Sequence, residues 1–589
     1  MTTNDYLEVT IDSSLIDSDL TNFPVGIKLD ASDSILSGLS STDWQYLHAT
    51  VLGIECFVEV DIWDMVNEIA LIWVNVPTVS SSIDTVIKLQ FTSDNNHYVG
   101  IATPTTIDDF TGTDSDPPNT TLWRLPITAS ILSNKLRITN SSLKTGEVIS
   151  KFILSGDFDV QIDYTNIVYP NIAGWSASFQ CVNLVNSKIV QNTRRYDSGQ
   201  KYHAEYNDGS WHTIASVATS DISGKLRLVR SGNSVTCYYY NSGWISLGSY
   251  TSFGSEATYF ILNMAYYSPY TAGTVDYDNF IINSADAKYL YVAETGEAPN
   301  VWDDYFVGVW HMSQDPSASN LLDSTFVNNN GVSSGSMTSG DLVDGGFGKA
   351  IDFDGIDDEF IFPYVTRLVG MEALSLEAYS KFYSHAAFEK VLDLDSSVTS
   401  NTARHYRIQF EGTNTYLLVR LDDSSNTLIS TPTEASAIVL DTYNHHVFTY
   451  DGLSNSDSAK AFIDGVLSAS TSATGNNISS VATNVRFVIG NNSTGSGYIN
   501  GQISDIRISK IDRSAGWIKA TYYVLSDGLL SKELIEVTSP VGTTIFGQIS
   551  INGKYVNIIG VSLVEKGQWR TVEDIYILND GDWRQNIIS

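Results

Sequence analysis

Along most of the chain, apolar residues either alternate with polar ones or form short runs between clusters of Gly, Pro, Asn, Asp and Ser. Alternation is plainest in Lys225-Leu-Arg-Leu-Val-Arg230 and Ser234-Val-Thr-Cys-Tyr-Tyr-Tyr240. A period of two is what a half-buried strand imposes, because successive side chains leave opposite faces of the pleat. The same reading predicts strands over Tyr6–Ile11, Val51–Val60, Ile69–Val76 and Val86–Phe91. Helical spacing is scarce. It is best over Ser514–Tyr523, where Trp517, Thr521 and Val524 share a face and Ser514 is placed to cap the first turn. Many short strands without long helices predict an all-β chain of several antiparallel β-sandwich, jelly-roll domains in series.

Three polar, turn-forming stretches interrupt the pattern: Thr103–Pro118, Glu294–Asn300, and the segment from Ser526 to Gly542. They divide the chain into residues 1–102, 103–297, 298–532 and 533–589, a division that suits 589 residues. The last piece repeats: Gly553-Lys-Tyr555, Gly567-Gln-Trp569 and Gly581-Asp-Trp583 are each fourteen residues apart. Each follows an apolar strand and a polar turn, which predicts strand, tight turn, aromatic and strand three times over. A tail of about 50 residues makes a weak core alone. It is expected to pack on a neighbouring domain or another copy of the chain; the alternative is a self-contained small barrel.

Charge narrows the function. Asp and Glu number 67 against 33 Lys and Arg, a formal net charge of −34. That argues against nucleic acid and anionic lipid as partners, since both are bound through basic patches. With 42% hydrophobic and 17% charged residues the chain folds rather than staying disordered. No apolar run reaches the roughly 18 residues of a membrane-spanning helix, so no membrane insertion is expected. The start, Met1-Thr-Thr-Asn-Asp-Tyr6, lacks the pattern of a signal peptide, which predicts synthesis in a cytoplasm without export. Cys56, Cys181 and Cys237 are too few and too scattered for a disulfide framework or a zinc site and read as buried thiols, the alternative being a Cys181–Cys237 pair if their strands adjoin.

Residue patterns add resemblances. Residues 6–100, with Asp19-Leu-Thr-Asn-Phe-Pro-Val25 and Trp73-Val-Asn-Val-Pro77, resemble a β-domain that often precedes lectin-like domains in surface and phage proteins. Residues 107–282 run from Asp108-Asp-Phe-Thr-Gly112 through Ser155-Gly-Asp-Phe-Asp-Val160 to Val275-Asp-Tyr-Asp-Asn-Phe280. That order is similar to concanavalin A-like jelly rolls of the laminarinase-related kind. Residues 306–525 resemble the laminin-G-like branch, through Gly308-Val-Trp-His-Met312, Gly348-Lys-Ala-Ile-Asp-Phe-Asp-Gly355, Phe462-Ile-Asp-Gly465 and Gly501-Gln-Ile-Ser-Asp-Ile-Arg-Ile-Ser509. The tail repeats look like those ending some bacteriophage tail and fibre proteins.

Candidate chemistry is sparse. Glu59-Val-Asp-Ile-Trp-Asp64 resembles the Glu-x-Asp-x-x-Glu strand of retaining laminarinase-type glycosidases, with Asp64 in place of the second Glu and outside both concanavalin A-like stretches. Clustered Asp residues supply the oxygens a hard cation needs. Asp108 or Asp109 with Asp276 or Asp278, and Asp354, Asp357 and Asp358 with Asp505, are therefore candidates for structural Ca2+. His311, His445 and His446 lack the flanking acids of a metalloenzyme and read as core residues. Flat aromatic faces stack on sugars, so Tyr238, Tyr240, Trp244 and Tyr267 are the candidate glycan contacts. The resulting expectation is a non-enzymatic virion protein without catalytic residues, at a bacteriophage tail fibre or tail tip. It would bind host-surface carbohydrate and other virion proteins, as a homo-oligomer guessed to be a trimer. The alternatives are a polysaccharide depolymerase using Glu59 and Asp61, a capsid decoration protein and a bacterial surface adhesin.

Overall fold

The computed structural model describes residues 5–92, 105–140 less 121 and 125–127, 145–168, 175–265, 273–288, 292–295 and 300–362 less 319. It also describes 368–535 less 369, 387–388, 396–403, 411–416, 423–427, 431, 433, 435–437, 476–477, 479–485 and 492–496, and the backbone of paired strands between 546 and 587. Among these residues the regular backbone is almost all strand, joined by turns and loops, with a single α-helix, Ala515–Leu525, and short 3-10 turns. The all-β, multi-sandwich architecture read from the period of two is the one observed.

The middle sandwich has two sheets. The front sheet runs Gly146–Ile149, Thr258–Ala265, Trp175–Asn183, Ile189–Tyr196, Gln200–Asn207, Trp211–Ala218. The back sheet holds Thr274–Lys288, Ile153–Val168, Gly224–Ser231, Ser234–Tyr240 and Trp244–Tyr250 in that order, with short strands beside Thr274–Lys288. Alternation decides what lies between them. Leu226, Leu228, Val235, Cys237 and Tyr239 point inward from the back sheet, to meet Trp175, Phe179 and Cys181 from the front. Cys181 and Cys237 are free thiols, and burial pushes the Cys181 thiol up to about 12.

The third sandwich pairs an eight-stranded sheet, with Asn500–Ser509 between Lys349–Asp354 and Leu374–Phe382, with a seven-stranded sheet centred on Arg486–Ile489 and Lys390–Asp395. The N-terminal sandwich is not built from its own segment alone. Leu530–Ile535 adds to Tyr6–Ile11 antiparallel, Tyr6 opposite Ile535, and Val292–Glu294 adds parallel to Val58–Asp64. Both strands lie beyond the first sequence break, yet they complete the N-terminal sheets. The helix reinforces the join. Ser514 caps it by accepting from the Trp517 N–H, and Trp517, Thr521 and Val524 are buried. Trp517 packs edge-on against Phe23 of the N-terminal sheet at 4.8 Å. One apolar cluster therefore runs from Val9 and Phe23 through Trp302 and Phe306 to Phe347 and Trp517.

The tail forms three two-stranded hairpins, closing at Ile551↔Lys554, Glu565↔Gln568 and Asn579↔Asp582. The closures are fourteen residues apart, the spacing of the Gly-x-aromatic repeats. Because Trp517 seals a shared core, Trp517→Ala is expected to destabilise the N-terminal and third sandwiches together by about 3–5 kcal/mol. Urea unfolding that resolves their common transition from that of the middle sandwich checks this; a shift in only one of the two joined sandwiches is the contrary result.

Candidate functional site

Tyr238 and Tyr240 leave the outer side of the back sheet, while Tyr239 points inward and stacks on Tyr202 at 4.3 Å. Tyr240 meets Trp244 edge-on at 5.4 Å and is 42% exposed, the most open ring of the group. The Arg227 guanidinium lies 5.6 Å from the Tyr238 ring and 5.2 Å from that of Trp244, and its Nε donates to Asp159 at 2.6 Å. Arg227 thus holds two rings in a common patch but occupies one of their faces. Tyr267, with Tyr266 and Tyr270, lies outside the described residues.

The face of the front sheet turned away from the core carries a group the aromatic reading missed, and most of it is buried, with Gln180, Gln191 and Glu205 only 6–7% exposed. Register places Gln180, Gln191, Glu205 and Thr213 side by side across four strands, and Ser178, Thr193, His203 and Ser216 in the next row. Gln180 donates to Gln191 at 2.8 Å and Gln191 donates to Glu205. His203 Nε2 lies 3.1 Å from the other Glu205 oxygen, while its Nδ1 meets the Ser216 hydroxyl. Arg195 donates to both Glu205 oxygens at 3.3 Å. Burial pushes the Glu205 carboxyl up, but His203, Arg195 and Gln191 outweigh it and hold the group below its ordinary value. Ser178 Oγ and Asn263 Oδ1 on the same face are buried without a hydrogen-bond partner. Planar amides, a carboxylate and an imidazole in one row are the groups that grip vicinal hydroxyls. The exposed Ser216 hydroxyl, backed by His203 and an ionised Glu205, also has the order of an activated nucleophile. The signal was present as polar residues at every second position in Ser176–Gln180, Gln191–Arg195 and Lys201–Glu205.

The acids read from the sequence have separate fates. Asp276 takes a bidentate pair from Arg137 at 2.7 and 2.8 Å and a third bond from Asn166, and Asp278 pairs with Lys135. Asp108 accepts from the Trp123 indole at 2.8 Å, and Asp109 accepts from Thr111 within its own turn. Cationic and local donors therefore occupy the middle-sandwich set, which does not converge as a cation site. Among the described residues the one converging group is Asp354, Asp357 and Asp358, with one carboxylate oxygen from each within 4.8 Å of the others. Burial, with Asp354, Asp341 and Asp357 nearby, pushes the Asp358 carboxyl up to about 6. Asp505 does not join it. Asp354 pairs with Asn500, so Asp505 lies five residues further along that strand, roughly 16 Å at about 3.3 Å per residue.

Asp505 instead belongs to a buried seam between the N-terminal and third sandwiches. Glu59, with no exposed surface, accepts from the Trp302 indole at 2.6 Å and the Ser324 hydroxyl at 2.5 Å. His311 stacks on Trp73 at 4.8 Å, holds Asp505 at 2.8 Å through Nδ1, and lies 3.8 Å from Glu59 through Nε2. Arg507 sits over the rings of Trp73 and Trp302 and donates to Asp505 at 2.6 Å. Asp61 accepts from Ser313, and Asp64 caps its own exposed turn through Asn67. The Glu59–Asp64 acids are thus divided between a sealed interface and a loop, and offer no open pair to a sugar. His445 and His446 pair separately with Glu377 and Glu434, both buried.

Residues 354–519 match the family Laminin_G_3, of the concanavalin A-like lectin/glucanases superfamily. No curated protein matches the chain. Among solved structures, domain 4 of an extracellular arabinanase from Geobacillus stearothermophilus, in complex with arabinotriose, is 16% identical, covering 36% of this chain and 96% of that one with a TM-score of 0.28. A Trypanosoma rangeli sialidase in complex with 2,3-difluorosialic acid is 9% identical over 68% of this chain and 84% of that one, TM-score 0.27. A Bacillus licheniformis β-glucanase is 13% identical over 30% and 96%, TM-score 0.24. These likenesses concern the fold. The expectation of a non-enzyme is corrected to this extent: glycoside hydrolases stand among the matched structures.

The seam gives a pH dependence with a definite sign. Burial opposes the charge on His311, but Asp61, Asp505 and Glu59 outweigh it and raise its pKa above 6.5; burial raises those of Glu59 and Asp61. A raised group contributes stability that is full below its unfolded value and lost as pH climbs through the folded one. All three groups therefore favour mild acid, while Asp505, held low chiefly by Arg507 and His311 against burial, matters only in strong acid. The melting temperature of the joined sandwiches is expected to fall from about pH 5.5 to about pH 8.5, and His311→Gln to flatten the slope. A melting curve that rises over this range contradicts the assignment.

Proposed function

We propose that the chain recognises carbohydrate through the outer face of the front sheet in its middle sandwich. The observation that carries this reading is the row Gln180–Gln191–Glu205–His203, hydrogen-bonded across three strands, with the unpartnered Ser178 and Asn263 beside it. Amide and carboxylate planes fixed in one row are pre-organised for hydroxyl groups, so little side-chain entropy is lost on binding. The aromatic patch of Tyr238, Tyr240 and Trp244 is a second contact on the opposite sheet. The concanavalin A-like fold of the neighbouring sandwich supports a glycan ligand in general terms.

The setting we infer is a bacteriophage virion, at the tail fibre or tail tip, with the chain as a homo-oligomer touching host-surface glycans and other virion proteins. Support for it comes from the tail repeats, which form successive hairpins, and from the strong negative charge, which suits neither nucleic acid nor anionic membrane. A second reading is hydrolysis on the same face, favoured by the Ser216–His203–Glu205 chain of hydrogen bonds.

A glycan array followed by titration calorimetry tests the binding site. Gln180→Ala and Gln191→Ala are each expected to weaken the best ligand about tenfold, or about 1.4 kcal/mol, and Trp244→Ala to weaken it less. Loss of binding in Trp244→Ala alone would move the site to the back sheet. Following reducing-end and ester release in the same samples, with Glu205→Gln and Ser216→Ala, separates cleavage from binding.

A further inference from the structure

On the front-sheet face of the middle sandwich a serine, a histidine and a carboxylate form one hydrogen-bonded chain, and of the three only the serine is exposed. We propose, on the hydrolytic reading of this face, that Ser216 is the nucleophile of an esterase that removes O-acyl groups from an oligosaccharide. His203 is its general base, and Glu205 is the residue that positions the base.

The register builds the group. His203 and Glu205 stand two residues apart on Gln200–Asn207 and so share a face, and Ser216 on the edge strand Trp211–Ala218 lies directly opposite His203. The Thr219 N–H donates to the Gln200 carbonyl at 3.0 Å. Antiparallel alternation from that bond turns the N–H groups of Val217 and Ala215 towards the sheet and that of Ser216 away from it. His203 and Ser216 are therefore a pair without mutual backbone bonds, the kind whose side chains stand closest. The Ser216 hydroxyl meets His203 Nδ1 at 2.5 Å, and His203 Nε2 lies 3.1 Å from Glu205 Oε2. An ionised carboxylate only accepts, so Nε2 carries the ring proton and Nδ1 is left to take the one from Ser216. Gln191 and Arg195 also donate to Glu205 and fix its plane. Among the described residues no strand pairs with the outer edge of Trp211–Ala218, so the Ser216 N–H is open to hold an oxyanion formed at its own side chain.

The same face is ill suited to cutting a glycosidic bond, which needs one of two carboxyls kept protonated. The acids that share Arg195 are Glu205 and Asp197. Burial pushes both up, but His203 and Arg195 at the first, and Lys201 and Arg195 at the second, outweigh it and hold both low. Acyl transfer needs no such acid. Ser216 Oγ bonds to the acyl carbon as its proton passes to His203 Nδ1, and the bond from that carbon to the sugar oxygen breaks as the proton passes on to that oxygen. Water then repeats the exchange, which releases the carboxylic acid and restores Ser216. Trp211, opposite Asn207 and 44% exposed, stands on the same face of the same strand. A sugar stacked on it sits roughly 13 Å from Ser216 at about 3.3 Å per residue, so a ligand that touches both is longer than one ring.

The test gives the full chain p-nitrophenyl acetate and acetylated xylan, and in a separate sample a fluorophosphonate read by peptide mass spectrometry. Acetate release from both esters is expected, with one adduct per chain, on Ser216. Ser216→Ala should lose release and adduct together, and His203→Gln should lower kcat by about 10²–10⁴-fold. Glu205→Gln should lower kcat with KM little changed, and Trp211→Ala should raise KM for the xylan alone. A wild-type chain that takes no adduct and releases no acetate overturns the proposal, as does release that survives in Ser216→Ala. If that chain still binds glycans through Gln180 and Gln191, the carbohydrate reading stands without the esterase. Release from p-nitrophenyl acetate by a chain that binds no glycan keeps Ser216 as nucleophile and overturns the carbohydrate reading instead.

Discussion

Glu59 is a carboxylate that water does not reach, and the joining of the N-terminal and third sandwiches rests on how it is met. An ionised group in such a place needs opposite charge and donors together. Here Trp302 and Ser324 supply the donors and His311 the nearby charge, with Arg507 closing the circuit through Asp505. All of the donors and both cations come from residues more than two hundred positions away in sequence. Removing one partner would leave charge stranded in the interface, which makes the seam specific to one arrangement of the two sandwiches. The exchanged strand Leu530–Ile535 and the helix at Ala515–Leu525 then follow as the means by which the chain holds that arrangement from both sides.

This places the middle sandwich in a particular position. Val292–Glu294, at its exit, returns to pair with Val58–Glu59–Val60, so residues 105–288 form an insertion into a body whose two parts are already joined. Its docking is polar: Asp304 takes Arg124 at 3.1 Å and Lys151 at 3.0 Å, and Asn328 donates to Ser187. Arg124 and Asp304 are both buried there, so either one left without the other would be costly. The rigid part of the molecule is therefore built around the buried seam. The part with the ligand-ready faces is the one whose outer surfaces no other sandwich needs for its own core.

Local features were legible from the residues and non-local ones were not. Period two gave the strands of the middle sandwich, and the fourteen-residue repeat gave the tail hairpins. Ser514 and the Trp517–Thr521–Val524 face gave the helix and its cap. What could not be read was pairing between distant segments. Tyr6 opposite Ile535 leaves no trace in either strand alone, since any antiparallel partner suits the same alternation. The Glu59 motif misled for the same reason. Glu59 and Asp61 do face the same way, as two acids at i and i+2 should, but they face a sealed seam, because the partners that define their environment arrive from His311 and Asp505. The front-face row was half legible: alternating polar residues were visible in each strand, while the register that aligns Gln180, Gln191 and Glu205 was not.

The excess of acid has a structural explanation that bears on how it is interpreted. Many of the carboxylates accept a backbone N–H two residues ahead, as Asp12 does from Ser14, Asp30 from Ser32, Asp315 from Ser317 and Asp451 from Leu453. An Asx turn of this kind substitutes for a backbone turn, and a protein made of short strands needs many of them. Acids used this way are satisfied by their own loops. Asp358 differs in being buried with one oxygen unmet, and Glu59 differs in being buried with both oxygens met from another sandwich. The informative acids are the few that burial has separated from water, because for those the surroundings must supply what a turn cannot.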